Sequence, residues 1–239
     1  MYREKKIAVI MPALNEEISL PFVLNTIPHY VDRIIVCDNG STDTTPLIVQ
    51  RFERQDKRII GCKQETKGYG SACLKAIEQL RDEDTVVFLD ADSCDFPDLM
   101  HGLLDPIVLN SHDFVISNRY NPLLQYDALT LPQKIGTKLA VFLIWLLWGF
   151  RYKDMGPFRA ITLQKLLQLG MQDKGYGWTI EMQIKALQKG LNICQIDVPY
   201  RKRMGGKSKI SGTVKGVVLA GSRIIFLVFY HKLRSLSRK

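Results

Sequence analysis

The first half of the chain alternates short apolar runs with stretches of helical spacing, and this alternation restricts the fold more than any other feature. The clearest runs cover residues 6–11, 33–38, 85–89 and 113–117, and a weaker one covers 58–62. Continuous apolar strands separated by helices are typical of a mostly parallel sheet with helices on both faces. We therefore predict an α/β fold built on such a sheet.

Polar residues follow three of these runs at once, in segments 38–41, 90–92 and 118–119. In open α/β sheets, ligands bind beyond the carboxyl ends of the strands. Since parallel strands end at the same edge, we expect these three segments to gather on one edge of the sheet.

The second half is less regular. Residues 131–150 and 177–189 have helical spacing, 154–160 indicate a loop or short strand, and 192–198 indicate a strand. A basic, glycine-containing loop then precedes a last helix. With no internal repeat and no flexible linker, we expect one domain over residues 1–212. Residues 213–239, a helix and basic tail, either pack on that domain or lie at a membrane surface.

The chain is basic, with 33 Lys and Arg against 24 Asp and Glu, a formal charge of +9. Such a balance favours anionic partners such as phosphates, nucleic acid or an acidic membrane. Apolar stretches 139–150 and 214–230 are respectively too short and too charged to cross a bilayer. They are either buried helices or helices in the membrane interface, and the sequence leaves both open.

The five cysteines are odd in number, widely spaced and without a CxxC pair. This pattern argues against a disulfide framework or a zinc site and fits a reducing cytoplasm. The first residues do not resemble a secretory leader. We predict a cytoplasmic protein, with peripheral binding to the inner face of the cell membrane as the extension that interfacial helices would bring.

Asp90 and Asp92 are the strongest chemical signal. Carboxylates two residues apart at the end of a buried strand can reach one hard cation while Ala91 points away. Mg²⁺ or Mn²⁺ there would bridge two phosphates and neutralise a departing diphosphate. The alternative is a pair of loop aspartates that cap a helix.

Two further segments have the character of phosphate or nucleotide contacts. Asp38 ends a strand and could accept a hydrogen bond from a base or ribose, although a plain turn and helix cap explain the same residues. Lys67 and Gly68 precede a helix and could meet phosphate. Their surroundings match neither a Walker loop nor the dinucleotide fingerprint.

Several motifs, taken in order, resemble one family. MPALNEE at 11–17, CDNGSTDTT at 37–45 and LDADSCDFP at 89–97 are similar to motifs of the family 2 glycosyltransferases, which have the GT-A (Rossmann-like) fold. SNRY, DMGPFRA, GYGWTIE and RMGGKSK resemble later motifs of the polyprenyl-phosphate (dolichyl-phosphate) mannosyl- and glucosyltransferase branch. The resemblance spans residues 7–212.

The resemblance implies inverting transfer from a UDP- or GDP-sugar to a polyprenyl phosphate. Asp90 and Asp92 would hold the metal, and Arg119 and Arg203 would hold the acceptor phosphate or donor diphosphate. The remaining candidates for donor binding are Pro12, Ala13, Glu16, Asp38, Asn39, Lys67, Gly68, Ala91, Arg159, Ser208 and Lys209.

Catalysis depends on the acceptor. A hydroxyl acceptor needs a general base, for which Asp154 and Glu181 are the candidates, whereas an ionised phosphate needs none. The candidate catalytic residues are thus Asp92, Arg119, Asp154, Glu181 and Arg203. As structural alternatives, Asp154 would orient Arg159 and Glu181 would pair with a loop cation.

Two positions depart from the family pattern. Asn39 stands where the family usually has a second Asp, and Cys94 stands where the branch often has a polar residue, which leaves Asp95 or water as the third metal ligand. Three functions stay open: a polyprenyl-phosphate glycosyltransferase at the membrane surface, a soluble one acting on a small hydroxyl or phosphorylated acceptor, and a non-catalytic basic module that binds membrane or nucleic acid. The first two predict no nucleic-acid partner.

Overall fold

The computed structural model describes residues 1–121, 124, 128–205 and 214–236. Within them, seven strands form one sheet in the order β3-β2-β1-β4-β6-β5-β7. The strands are β1 Ile7–Ala13, β2 Arg33–Asp38, β3 Ile59–Lys63, β4 Thr85–Phe88, β5 Phe114–Asn118, β6 Arg159–Thr162 and β7 Ile193–Asp197. The helices are α1 Leu20–Thr26, α2 Thr45–Gln55, α3 Tyr69–Ile77, α4 His101–Asn110, α5 Leu131–Trp148, α6 Leu163–Leu169, α7 Trp178–Gln188 and α8 Val214–Leu236.

The sheet is mostly parallel, which confirms the predicted fold class. β3, β2, β1 and β4 are parallel neighbours, and β5 pairs in parallel with β7. β6 lies between β4 and β5 and is antiparallel to both. Because both flank the same antiparallel strand, β4 and β5 run in one direction. The carboxyl ends of β1, β2, β4 and β5 therefore share one edge.

β1 runs two residues further than its sequence predicts, through Pro12 to Ala13. Ile10 O accepts from Leu89 N–H, whereas Ala13 O accepts from Asn39 N–H beyond β2. Alternate residues of a parallel strand bond to opposite neighbours, so Pro12 faces the same side as Ile10. There the pairing with β4 has already ended at Ile10, and the missing N–H of Pro12 removes no ladder bond.

Both faces of the sheet are covered. Side chains from α1, α2 and α4 pack with β1 residues such as Ile7 and Val9 on one face. Side chains from α3, α5, α6 and α7 pack with Ile10 and Ile35 on the other. This two-sided burial explains why the strands have continuous apolar sequences instead of alternating ones.

The C-terminal helix α8 packs along α5 and α7. α5 begins with a capping box between Thr130 and Gln133 and ends at Gly149, whose φ is 75°. α6 is absent from the sequence-based prediction, because its seven residues directly continue β6 with no turn signal. None of the described helices is both long and apolar enough to cross a membrane.

Candidate active site

A cavity of about 840 Å³ opens at the carboxyl edge of the sheet. It brings together most of the site residues that the sequence predicts. Those that line it are Pro12, Ala13, Glu16, Asn39, Lys67, Gly68, Asp90, Ala91, Asp92, Arg119 and Arg203. Of the remaining predicted residues that the structure describes, Asp38, Asp154, Arg159 and Glu181 stand behind its walls. Ser208 and Lys209 lie outside the described residues.

Asp90 and Asp92 follow β4 and are held by different neighbours. The Tyr69 hydroxyl donates to Asp90 Oδ1 over 2.9 Å. Asp92 Oδ1 accepts from Cys94 N–H at 3.0 Å, and Asp92 Oδ2 accepts from the Arg203 guanidinium at 3.0 Å. Tyr69 has no catalytic motif of its own, and its position next to Gly68 at a helix start is the only sequence signal for it.

The electrostatics of this pair suit a hard cation. Burial and then the charge of Asp92 raise the pKa of Asp90 to about 7, although the Tyr69 hydrogen bond opposes this. Burial likewise raises the pKa of Asp95 well above its usual value, and neither of its carboxyl oxygens has a described hydrogen-bond partner. Carboxylate oxygens are the ligands that Mg²⁺ and Mn²⁺ prefer, so Asp90 and Asp92 fit the predicted metal.

The hydrogen bonds of Asn39 explain why an asparagine stands where the family usually has an aspartate. Its side-chain N–H groups donate to the carbonyls of Gln64 at 3.2 Å and Thr66 at 2.8 Å, and its Oδ1 accepts from Gly68 N–H at 2.7 Å. An aspartate has no N–H and could not make the first two bonds. Asn39 therefore fixes the loop that presents Lys67 and Gly68.

Gly68 is required by its surroundings. Its φ is 142°, and a Cβ there would lie 2.1 Å from Lys174 O. Only glycine fits such a conformation and such a contact. Asp38, one residue before Asn39, lies behind the wall, where its Oδ1 accepts from Ser41 N–H at 3.2 Å.

Arg119 and Asp154 form a buried bidentate ion pair. Arg119 Nε donates to Asp154 Oδ2 at 2.7 Å and Arg119 Nη2 to Oδ1 at 2.9 Å, while the Arg119 backbone N–H reaches Oδ2 at 3.0 Å. Burial opposes the charge of Arg119, but Asp154 more than offsets this and leaves the Arg119 pKa well above its usual value. Tyr200 stacks on the guanidinium, 4.9 Å away. Asp154 thus pairs with Arg119. Its structural alternative, in which Asp154 orients Arg159, is wrong.

Arg159 and Glu181 hold the scaffold behind the cavity. Arg159 donates to the carbonyls of Gly156 at 3.0 Å and Thr179 at 3.1 Å, and its burial lowers its pKa to about 10. Glu181 accepts from Asp173 N–H at 2.7 Å and pairs with Lys185 of its own helix. Its structural alternative, a loop cation, is replaced by this helical one.

A second wall of the cavity is apolar, and the sequence does not predict it as part of the site. Leu131, Ile135 and Leu139 of α5 line it, together with Ile224 of α8. The three α5 residues recur every four positions, so they form one stripe on the helix. Their sequence signal was an apolar helix, which by itself does not distinguish a cavity wall from a core.

Comparison with known proteins identifies the family. The profile described as "Glycosyl transferase family 2" matches residues 8–169. An uncharacterized glycosyltransferase of Mycobacterium tuberculosis (strain ATCC 25618 / H37Rv) is 31% identical over 217 residues, which cover 90% of this chain and 94% of that protein. The chain belongs to glycosyl transferase family 2. The predictions of the family and of a glycosyltransferase are thereby confirmed, and a non-catalytic module is excluded.

Two more similarities bear on the family 2 site. A UDP-N-acetylglucosamine–dolichyl-phosphate N-acetylglucosaminyltransferase of Methanococcus voltae is 28% identical over 214 residues, 82% of this chain and 85% of that protein. The glucosyl-3-phosphoglycerate synthase of Mycobacterium tuberculosis, crystallised with Mn²⁺, UDP and phosphoglyceric acid, superposes with a TM-score of 0.74 at 21% identity. That match covers 96% of this chain and 79% of the other, and it confirms the predicted GT-A fold.

Proposed function

We propose that this family 2 enzyme transfers a sugar from a UDP- or GDP-sugar to the phosphate of a polyprenyl phosphate at a membrane surface. The observation that carries the proposal is the division of one cavity into two walls. Carboxylates and cations form one wall, at the end of β4, and the apolar stripe of α5 lines another part of the cavity. A phosphate joined to a hydrocarbon chain needs both kinds of surface.

Asp90 and Asp92 would hold Mg²⁺ or Mn²⁺ on the polar wall. The bound ion would stabilise the negative charge of the leaving diphosphate. Other residues of the chain position the groups that contact the donor. Asn39 holds the loop that carries Lys67, and Tyr69 orients Asp90. The Mn²⁺ and UDP in the structurally similar synthase support this assignment.

A phosphate acceptor agrees with the candidate bases as they stand. Asp154 is engaged by Arg119, and Glu181 by backbone N–H groups and Lys185, so neither presents a free carboxylate to the cavity. An ionised phosphate needs no base, only cations that position it. Lys67, Arg119 and Arg203 line the cavity and supply them. The dolichyl-phosphate relative supports this acceptor class.

The apolar wall continues onto the surface. Phe142 and Leu146 extend the α5 stripe and are 51% and 62% exposed. On the adjacent α8, Phe226, Phe229 and Leu233 repeat at helical spacing and are also exposed. We call these two stripes the α5–α8 face. Basic residues beside it, such as Lys138 and Arg234, suit anionic lipid head groups.

The α5–α8 face supports a location of the protein at a membrane surface and a division of the chain into two parts. Residues 1–212 would form the catalytic domain, and residues 213–239 would pack on it and bind the inner face of the cell membrane as a peripheral element. The lipid phosphate could then enter the cavity along the α5 stripe without its chain leaving the bilayer.

A second acceptor has its own support. The structurally similar synthase holds phosphoglyceric acid, and a small phosphorylated acid would use the same cations without the apolar wall. Both candidates share an acceptor that carries a phosphate, and they differ in whether hydrocarbon is recognised.

Two measurements test the proposal. In thermal-shift titrations with UDP, GDP, CDP and dTDP, we expect only UDP or GDP to raise the unfolding temperature of the chain. The increase should be large only when Mn²⁺ is present. Transfer from radiolabelled UDP- and GDP-sugars should then favour a short-chain polyprenyl phosphate over 3-phosphoglycerate. Preference for phosphoglycerate would support the second acceptor. The absence of metal-dependent nucleotide binding would contradict the donor assignment.

A further inference from the structure

Arg203 joins two carboxylates at the centre of the polar wall. Its Nη1 lies 2.7 Å from Glu16 Oε1 and its Nη2 lies 3.0 Å from Asp92 Oδ2. The other oxygen of Glu16 accepts from the Ser19 hydroxyl at 2.8 Å. All three charged side chains are largely buried, with 18% of Arg203, 9% of Glu16 and 14% of Asp92 exposed. We call these contacts the Arg203 bridge.

The segment that carries Arg203, residues 201–205, is fastened to the loop after Asp92. Arg201 N–H donates to Cys94 O at 3.0 Å, and Arg201 Nε donates to Ser93 O at 2.7 Å. Met204 N–H donates to Ser93 Oγ at 3.3 Å. The bonds of Arg201 and Met204, which flank Arg203 in the sequence, hold the Arg203 side chain over Asp92. The backbone around Arg203 therefore positions the bridge.

The bridge leaves Asp92 without an unengaged oxygen. Oδ1 accepts from Cys94 N–H and Oδ2 accepts from Arg203. A divalent cation that binds Asp92 must therefore share these oxygens or replace a donor. Replacing the guanidinium is the cheaper exchange, because the entering cation gives Asp92 a new charge partner, whereas displacing Cys94 N–H would leave that backbone group without its acceptor.

We propose that Arg203 is an internal counter-ion that competes with the divalent metal for Asp92, so that metal binding releases Arg203 and loosens residues 201–205. This inference rests on the metal site proposed above. After release, Arg203 stays close through Glu16, which makes only the Asp92 half of the bridge exchangeable. In the metal-free chain, the positive charge of Arg203 thereby offsets the negative charge of Glu16 and Asp92.

Mn²⁺ affinity tests the competition directly. Free Mn²⁺ is measured by electron paramagnetic resonance during titration of the full chain without nucleotide, so no turnover is involved. Arg203→Gln should bind Mn²⁺ about 10-fold more tightly than the unmodified chain, since the metal no longer has to displace a charge-assisted hydrogen bond from Asp92. Lys202→Gln is the matched control. It removes the same charge from the same segment, but Lys202 is exposed and takes no part in the bonds that fasten this segment to Ser93 and Cys94.

The outcomes separate the alternatives. Less than a 2-fold change in Lys202→Gln beside the large change in Arg203→Gln supports the inference. Equal tightening in both variants would mean general electrostatics, and no tightening in Arg203→Gln would overturn the competition while the metal site stands. Failure of the folded, unmodified chain to bind Mn²⁺ even with UDP or GDP would overturn the metal site, and the inference with it.

Hydrogen exchange gives a second test that needs no variant. Saturating Mn²⁺ should speed amide exchange in peptides that cover residues 201–205, where Met204 N–H bonds to Ser93 Oγ. Peptides from α6, which follows the antiparallel strand β6 and so begins at the opposite edge of the sheet, serve as the internal control. Unchanged exchange in 201–205 at saturating Mn²⁺ would overturn the release of this segment.

Discussion

The two walls of the cavity are built in opposite ways. On the polar wall the two aspartates are fixed by partners close in space: Tyr69 fixes Asp90, and Cys94 N–H and Arg203 fix Asp92. On the apolar wall, α5 buries Ala140 and Ile144 toward the core and leaves its other stripe uncovered. One wall is preorganised by hydrogen bonds, and the other is an open surface.

This difference agrees with what each wall would bind. Charge that develops on a diphosphate needs groups already in place, because reorganising them during the reaction would raise the barrier. A hydrocarbon chain needs only area, and its exact position matters little. Variants of the polar wall should therefore act on chemistry and stability, and variants of the apolar wall on partitioning to membranes.

The largest expected effect is that of Asp92→Asn on the polar wall. The substitution keeps the shape of the side chain and removes the charge that would bind the metal. We expect kcat/KM for transfer to fall by about 1000-fold or more, because stabilisation of the leaving group is lost.

Asp98→Asn is the matched control, since Asp98 is an exposed residue of the short 3-10 helix after the same loop and does not line the cavity. It should retain nearly full activity, and circular dichroism should show both variants folded. Near-normal transfer by folded Asp92→Asn would remove the metal assignment from this residue.

The next effect concerns the ion pair behind the polar wall. Asp154→Asn leaves Arg119 buried without its counter-ion, and breaking one partner of such a pair costs about 3–5 kcal/mol. Urea unfolding should show that loss. Asp82→Asn breaks the exposed Lys6–Asp82 pair instead and should leave the free energy of unfolding nearly unchanged. Equal effects would mean that the wall is not held by the Arg119–Asp154 pair.

The sequence predicts the polar wall better than the apolar one, and the reason is locality. Asp90 and Asp92 follow an apolar strand within a few residues, and parallel strands place such ends on one edge by geometry alone. The Arg119–Asp154 pair joins residues 35 positions apart. Nothing in the sequence distinguishes Arg119 from Arg159 as the partner, because only the packing of β6 between β4 and β5 decides it.

The apolar wall escapes prediction for a related reason. The α5 sequence indicates a helix, but a stripe of leucine and isoleucine is equally suited to a core, a membrane or a cavity. The choice depends on α8, which returns from the far end of the chain to lie along α5. The fold class thus follows from local patterns, while half of the candidate site follows from a long-range contact.

A smaller effect should separate the walls by membrane binding. The double substitution Leu146→Glu and Phe229→Glu places charges in both stripes of the α5–α8 face. We expect binding to vesicles of anionic phospholipid to weaken by at least about 10-fold in flotation assays, since each buried side chain contributes about 1.5–3 kcal/mol. Leu47→Glu is the control, because Leu47 is 64% exposed on α2, away from that face. Equal flotation of the double variant and the unmodified chain would favour the small phosphorylated acceptor.

The smallest expected effect tests whether the buried charge of the polar wall lowers the free energy of unfolding. In the metal-free chain the pKa of Asp90 is about 7, above the value of about 3.9 in an unfolded chain. The folded state therefore holds a proton that the unfolded state releases between these values, and stability falls as pH rises from about 4 to 7 and then levels off. Asp90→Asn removes this loss.

Asp90→Asn should accordingly unfold at a higher temperature than the unmodified chain at pH 8 without metal, because the asparagine has no buried charge to form. The gain should shrink toward zero as the pH approaches 4. Leu139→Ala on the apolar wall is the contrasting variant, since its effect on the unfolding temperature should not depend on pH. A gain for Asp90→Asn that is equal at pH 5 and pH 8 would show that ionisation of Asp90 is not its source. The difference between the walls would then lie in packing and not in charge.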